Sequence, residues 1–424
     1  MRTGKRPAWL SSTALIFYGL GLGIVLGMLF PKETYPGAYD AFRFMSKAFI
    51  NLIKMLIVPL IFSTIVVGIG KTGDVKAVGR MGFKALIYFE VATTIALAIG
   101  LAIAHLVRPG DGLHLPPSGE QLAQPKTFAE TLLHLFPSNV IEAMTRQDVL
   151  QVVVFATLIG VAAAHVKGKS GPFLNVMDSF VAVMFQLTDY VMALTPIGVL
   201  GAMAGSVSSH GLRVLGSYAK LVGSLYGALV VFALLVLIPA LLIVRAPIIE
   251  FFRMIREPFL LAFSTASSEA ALPRALEKMV EYGVPKSVAG FVIPAGYSFN
   301  LDGSTLYISL ASLTIAQAAG IKMSLETELL MMVTFLLTSK GVAGVPRASL
   351  VIIAAGCAAF NLPGEAGVAM ILAVDEIMDM ARTSINVMGN CVASVVVARW
   401  EGVLGKPVHV RDESTPAVEV ASRP

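Results

Sequence analysis

Residues 375–390 read DEIMDMARTSINVMGN and run directly into the apolar CVASVVVA of 391–398. Asp375, Asp379, Arg382, Thr383, Asn386 and Asn390 fall at i, i+4, i+7, i+8, i+11 and i+15. At about 100° per residue they occupy one arc of a helix. Apart from Glu376 near the start, the other faces are nearly all apolar, so the spacing predicts a helix over about 368–398 with a single polar stripe. Ionisable groups in an apolar layer are costly unless they are paired or face water. One Asp–Arg pair can glue helices together, but six polar positions on one stripe describe a binding surface. An arginine in a dry cavity offers a bidentate grip on a carboxylate, and the neighbouring Asp379 suits an ammonium. Together they match an acidic amino acid: Arg382 on the side-chain carboxylate, Asp379 on the α-amino group, and Thr383, Asn386, Ser268 and hairpin-tip N–H groups on the α-carboxylate. The stripe holds no nucleophile–base–orienter set.

The surrounding 424 residues place that helix in lipid. Asp, Glu, Lys and Arg make up 14% of the chain and hydrophobic residues 56%, against roughly 25% charged in an ordinary soluble domain. The mean hydropathy of +0.78 agrees. A cytosolic enzyme is excluded, and a net charge of +5 without a basic stripe leaves nothing for nucleic acid to bind. Cys357 and Cys391 sit in apolar stretches and form neither a disulfide framework nor a metal motif.

Upstream of the stripe, polar stretches interrupt the apolar segments in a way that an ordinary spanning helix does not allow. In FLLAFSTASSEAALPRALEKM (259–279) and LLMMVTFLLTSKGVAGVPRASLVIIAAGCAAF (329–360), apolar arms too short to cross alone flank tips rich in Ser, Thr, Gly and Pro. Both read as re-entrant hairpins. Between them, FVIPAGYSFNLDGSTLYISLASLTIAQ (291–317) is broken at Asn300, Asp302 and Gly303. Irregular backbone at membrane depth is tolerated where protein or a water-filled cavity satisfies it, and paired interrupted segments mark a transporter's binding site. Freed carbonyls and the Asp302 carboxylate are hard oxygen ligands for a cation.

Six apolar segments come first, at about 12–30, 41–70, 82–107, 149–164, 173–204 and 215–244. The first is too long for a signal peptide, and its Gly19, Gly23 and Gly27 form a small-residue packing face. Lys and Arg cluster at the amino-terminal tail, around 71–84, at 167–169 and after 244. The alternate connection 108–148 carries five acidic residues against three basic. By the positive-inside rule both termini are cytoplasmic. GIGKT (68–72) lacks the first glycine of a phosphate-binding loop, and the scattered histidines have no ligand spacing.

Five motifs, NLIKMLIVPLIFS (51–63), STASSEAALPR (264–274), GYSFNLDGST (296–305), SKGVAGVP (339–346) and DMARTSINVMGN (379–390), resemble those of the glutamate-transporter family of dicarboxylate/amino acid:cation symporters, nearly from end to end. The resemblance implies an all-α membrane protein of eight transmembrane helices plus two re-entrant hairpins, assembled as a homotrimer and working as an elevator. Residues 1–244 would be mostly scaffold, with the third and sixth helices joining a transport core at 245–402, and 403–424 a cytoplasmic tail. It implies substrate ligands at Ser268, Asp379, Arg382, Thr383 and Asn386, with backbone from Gly344 and Val345. The cation sites would use Asn300, Asp302, Asn386, Asn390 and the Gly296 carbonyl, backbone carbonyls at Ser298, Ser339, Lys340 and Val342, and the Thr93 hydroxyl. No cofactor is implied beyond coupling sodium ions, protons or both, and the setting would be a bacterial inner membrane.

The departures bear on coupling. Asn390 replaces the aspartate of sodium-driven members, Phe89 and Ala92 replace hydroxyl residues, and Ile308 stands where animal members carry a protonating glutamate. Protonation would then fall to Asp302, Asp375 or Glu269. The C4-dicarboxylate branch is similar around SSE and GYSFNLDG but lacks the aspartate matching Asp379, which ranks an amino acid above succinate or malate. Two other classes compete. An intramembrane aspartyl protease would use Asp302 and Asp379, but Arg382 one turn from Asp379 opposes it. A channel conflicts with the occluding hairpins.

Overall fold

In the computed structural model the described residues are 12–70, 77–113, 115, 138–146, 149–339 and 348–405, and every regular element among them is helical. The first part comprises α1 (Ser12–Leu29), α2 (Pro36–Gly70), α3 (Ala77–Val107), the short α4 (Val140–Thr145), α5 (Val149–Val166), α6 (Gly171–Met192) and α7 (Thr195–His210). Next, α8 (Arg213–Phe232) passes through a π-helical turn at Ala233–Leu237 into α9 (Ile238–Ile243). Among the described residues, Arg80–Val107 and Arg213–Ile243 are each long and apolar enough to cross a bilayer.

The apolar segment at 173–204 is not one helix. It breaks at Ala193 and Leu194, and α6 and α7 meet at 46°. Hydropathy is blind to the break, but Pro196 lacks an N–H and sits in the first turn of α7, where that loss costs nothing. The glycine face of α1 lies on α7: Gly19, Gly23 and Gly27 meet it so closely that a Cβ at any of them would collide, while Gly21 points away.

The second part begins with α10 (Ile248–Thr265) and α11 (Ser268–Tyr282), which fold against each other. Ala266, in the left-handed region at φ 47°, makes the turn, and Ser267 Oγ caps α11 by accepting from Ala270 N at 3.3 Å. Beyond them come α12 (Lys286–Phe299), α13 (Asp302–Ala318), α14 (Leu325–Thr338), α15 (Ala348–Ala359), α16 (Gly364–Leu372) and α17 (Asp375–Trp400). The expected break between 291 and 317 is present, with Asn300 and Leu301 outside the helices.

The helix expected over 368–398 is itself interrupted at Ala373 and Val374, so Asp375 starts α17 instead of lying within a continuous helix. Two apolar, helix-compatible residues give no warning of this. The broken end is electrostatically favourable, because the first turn of α17 carries Asp375 and Glu376 at the positive end of the helix dipole.

Packing separates two groups. α1 and α2 lie against α5, α6 and α7, whereas α3 runs along α13, and α8 contacts α3, α13 and α17. At the centre, α17 touches α10, α11, α12 and α13 and is buried from Met378 to Ala398 except at Met380. Its polar stripe therefore faces protein, not lipid. At one end of the bundle Arg80 and Lys84 of α3 pair with Glu401 at 2.6 and 2.7 Å and hold its carboxyl below the usual value. At the other end His105 of α3 meets Glu328 of α14 at 2.8 Å, a structural tie.

Candidate binding site

Two polar clusters sit side by side on α17. In the first, the Arg382 guanidinium is 1% exposed. Its Nε donates to Asp379 Oδ1 at 2.8 Å, and Nη1 and Nη2 donate to the two oxygens of Asp375 at 3.0 and 3.5 Å. Its flat face lies 4.2 Å from the ring centroid of Tyr307 on α13, whose hydroxyl donates to Asp375 Oδ1 at 2.9 Å. Thr383 Oγ1 donates to Asp379 Oδ1 at 3.1 Å. A planar, delocalised cation can stack on an aromatic ring and fork onto carboxylates at once, which a lysine cannot. Two carboxylates around one guanidinium leave the cluster with an excess negative charge.

The second cluster is built from oxygens. Asn300 Nδ2 donates to Asp302 Oδ2 and to Asn390 Oδ1, both at 3.0 Å. Asn300 Oδ1 and Asn390 Nδ2 are buried with no hydrogen-bond partner, as is the hydroxyl of Tyr88 on α3. A buried amide without its partner is expensive, and a bare amide oxygen beside a carboxylate is the donor set of a hard monovalent cation. The residues present fit such an ion, with Asn390 supplying a neutral oxygen where a second carboxylate would add charge.

Asn386 joins the clusters. Its Oδ1 accepts from Gly303 N at 2.8 Å and Ser304 N at 3.2 Å, and its Nδ2 donates to Ser304 Oγ at 3.0 Å. A residue of α17 thus caps α13 across the interface. The approach needs glycines: a Cβ at Gly303 would collide with the Arg382 backbone, and one at Gly389 with Asp302 Oδ2. Overpacking of this kind costs about 1–3 kcal/mol. Gly389→Ala is therefore expected to weaken the apparent affinity for the coupling cation by about tenfold, while substrate uptake at saturating cation stays near wild type. Titration of uptake against cation concentration checks it.

The other expected residues are placed less directly. Ser268 is buried at the start of α11, which packs on α17. Ser339 follows α14 and donates from Oγ to Leu336 O at 3.3 Å. The Gly296 carbonyl already accepts from Asn300 N at 2.8 Å. Ser298 lies in the last turn of α12, and Thr93 is buried on α3. Lys340, Val342, Gly344 and Val345 lie outside the described residues. Sequence reasoning missed Tyr307, Ser304 and Tyr88. Tyr307 and Tyr88 stand among apolar residues and read as core, and Ser304 differs in no way from the neighbouring serines until Asn386 reaches it.

Buried ion pairs and unsatisfied amides set on broken helices in an apolar bundle are the arrangement of a solute transporter. The chain belongs to the sodium:dicarboxylate symporter family, whose profile matches residues 13–400. It is therefore a membrane transporter and not an enzyme, and Asp302 and Asp379, divided between the two clusters, form no protease dyad. Over 395 residues the chain is 42% identical to a proton/glutamate-aspartate symporter of Bacillus subtilis, covering 91% of this chain and 94% of the relative. It is 42% identical over 392 residues to a C4-dicarboxylate transport protein of Anaeromyxobacter sp., covering 90% and 89%. A proton/sodium-glutamate symport protein of Geobacillus stearothermophilus is 37% identical over 397 residues, covering 91% and 94%.

Proposed function

We propose that this chain is a secondary symporter that imports glutamate and aspartate, driven by sodium ions, protons or both. The observation that carries the reading is the sharing of Arg382 between Asp379 and Asp375. A substrate carboxylate arriving at Nε must displace Asp379. An acidic amino acid brings its own ammonium for the released aspartate, so Asp379 keeps a cationic partner. A C4-dicarboxylate releases Asp379 and gives it no cation, and an uncompensated buried charge costs about 3–5 kcal/mol. The named relatives include both substrate classes, so a C4-dicarboxylate:cation symporter remains the second reading, favoured by that similarity alone.

In this reading α1, α2 and α5–α7 form a scaffold at the centre of a homotrimer, and α3, α8–α9 and α10–α17 form the part that slides across the membrane. Eight crossings and two re-entrant hairpins, α10–α11 and α14–α15, complete the architecture, in a bacterial inner membrane with both termini cytoplasmic. The separation of the packing groups and the basic loops support it. Asn386 belongs to both the substrate and cation sets, and as the cap of α13 it would transmit occupancy of one to the other. Sodium would use Asn300, Asp302 and Asn390. A proton would need a carboxylate, and Asp375, already accepting from Arg382 and Tyr307, is less suited than Glu269, or than Asp302 in a cycle that binds no sodium there.

The test is uptake of glutamate, aspartate and succinate into proteoliposomes under separately imposed sodium and proton gradients. Amino-acid accumulation above succinate is expected. Accumulation of succinate alone would hand the function to the second reading.

A further inference from the structure

A cavity of about 730 Å³, separate from the α17 clusters, lies between the α2–α7 wall and α16, at the end of the bundle opposite Glu401. That volume is typical of a small-molecule site. Its lining is strongly asymmetric. Lys32 Nζ and Arg43 Cζ stand 4.9 and 5.8 Å from the ring centroid of Tyr39, Lys47 follows Arg43 one turn along α2, and His210 at the end of α7 also lines the cavity. On the same wall as Arg43 and Lys47 the Ser46 hydroxyl is buried, 5% exposed, with no hydrogen-bond partner. The opposite wall is α16, with Glu365 at its start and then Ala369 and Met370.

We infer that this cavity is a binding site for an anionic amphiphile, a carboxylate or phosphate head on an acyl chain. The head sits on Arg43, Lys47 and Lys32 and accepts the Ser46 hydroxyl. Glu365 repels the head, so the chain lies along Ala369 and Met370. Because α16 belongs to the part assigned as moving and α2 and α7 to the fixed part, an occupant wedges the two and slows transport. That consequence rests on the proposed elevator, whereas the binding itself does not.

The probe is radiolabelled dodecanoate, with dodecanol as the uncharged control. Purified protein in phosphatidylcholine nanodiscs is expected to bind dodecanoate saturably. The double variant Arg43→Gln/Lys47→Gln is expected to bind it about tenfold more weakly or worse, since two charge-assisted contacts are lost. In proteoliposomes dodecanoate should lower Vmax and leave the substrate KM unchanged in wild type, with the half-inhibitory concentration raised by about the same factor in the variant. If phosphatidylglycerol vesicles reproduce the inhibition and the variant escapes it, the natural head is a lipid's. If only added dodecanoate inhibits, it is a free amphiphile's. Equal inhibition by dodecanol, or equal dodecanoate binding by the variant, would overturn the site. A wild-type protein that takes up none of the three substrates would instead sink the proposed substrate reading and leave the binding result to stand alone.

Discussion

Arg382→Ala is expected to lower kcat/KM for glutamate, aspartate and succinate alike by at least about 30-fold, because in the proposed function every candidate substrate places a carboxylate on this guanidinium. Removing one partner of a buried, hydrogen-bonded charge pair costs about 2–5 kcal/mol, and 1.4 kcal/mol is tenfold. The same change leaves Asp375 and Asp379 facing each other without their shared cation, so loss of the fold is a competing cause. Arg382→Lys separates the two. It keeps a positive charge between the aspartates but gives up the fork and the stacking on Tyr307. A folded Arg382→Lys protein, judged by its elution profile and melting temperature, is expected still to lose most of its uptake. Full activity in that variant would show that Arg382 only neutralises the aspartates and never holds substrate.

Asp379→Asn is expected to split the substrates. The amide can still accept from Arg382 Nε and Thr383 Oγ1, so the local geometry survives, but the charge that would meet an ammonium is gone. Glutamate and aspartate uptake should fall by about 30-fold or more, while succinate uptake holds or rises, since releasing a neutral amide from Arg382 leaves no bare charge behind. Competition between labelled aspartate and unlabelled succinate, measured in both proteins, reads the split directly. Undiminished aspartate uptake, or equal loss of both substrates, would remove Asp379 from the role of ammonium partner.

The coarse architecture was legible for simple reasons. Low charge and long apolar runs require a bilayer, Gly19, Gly23 and Gly27 repeat at the helical period and do form the seam with α7, and an Asn-Leu-Asp-Gly in an apolar run does break the helix at Asn300. Two breaks escaped notice, at 193–194 and 373–374. Hydropathy sums over a window, and two apolar residues that leave helical geometry do not change the sum. The second break matters more, because it turns Asp375 from a member of the stripe two turns inside the expected helix into a helix-starting carboxylate clamped by Arg382 and Tyr307.

The candidate site divides in the same way. One-dimensional spacing placed Asp379, Arg382, Thr383, Asn386 and Asn390 on one face of a helix, and the chemistry of those side chains pointed to a dicarboxylic ligand with a cation. Helical periodicity is a local property, so the chain alone determined it. Whom each side chain meets is not local. Asn386 caps α13 from 82 and 83 residues away in sequence, and Asn300 reaches Asn390 across 90. Only the packing of α13 against α17, at glycines small enough to allow contact, decided that Tyr307 lies on Arg382 and bonds Asp375, and that the Asn300 amide oxygen is buried without a partner. In an apolar interior a polar group takes whatever partner the fold brings within about 3 Å, and that choice belongs to the tertiary structure.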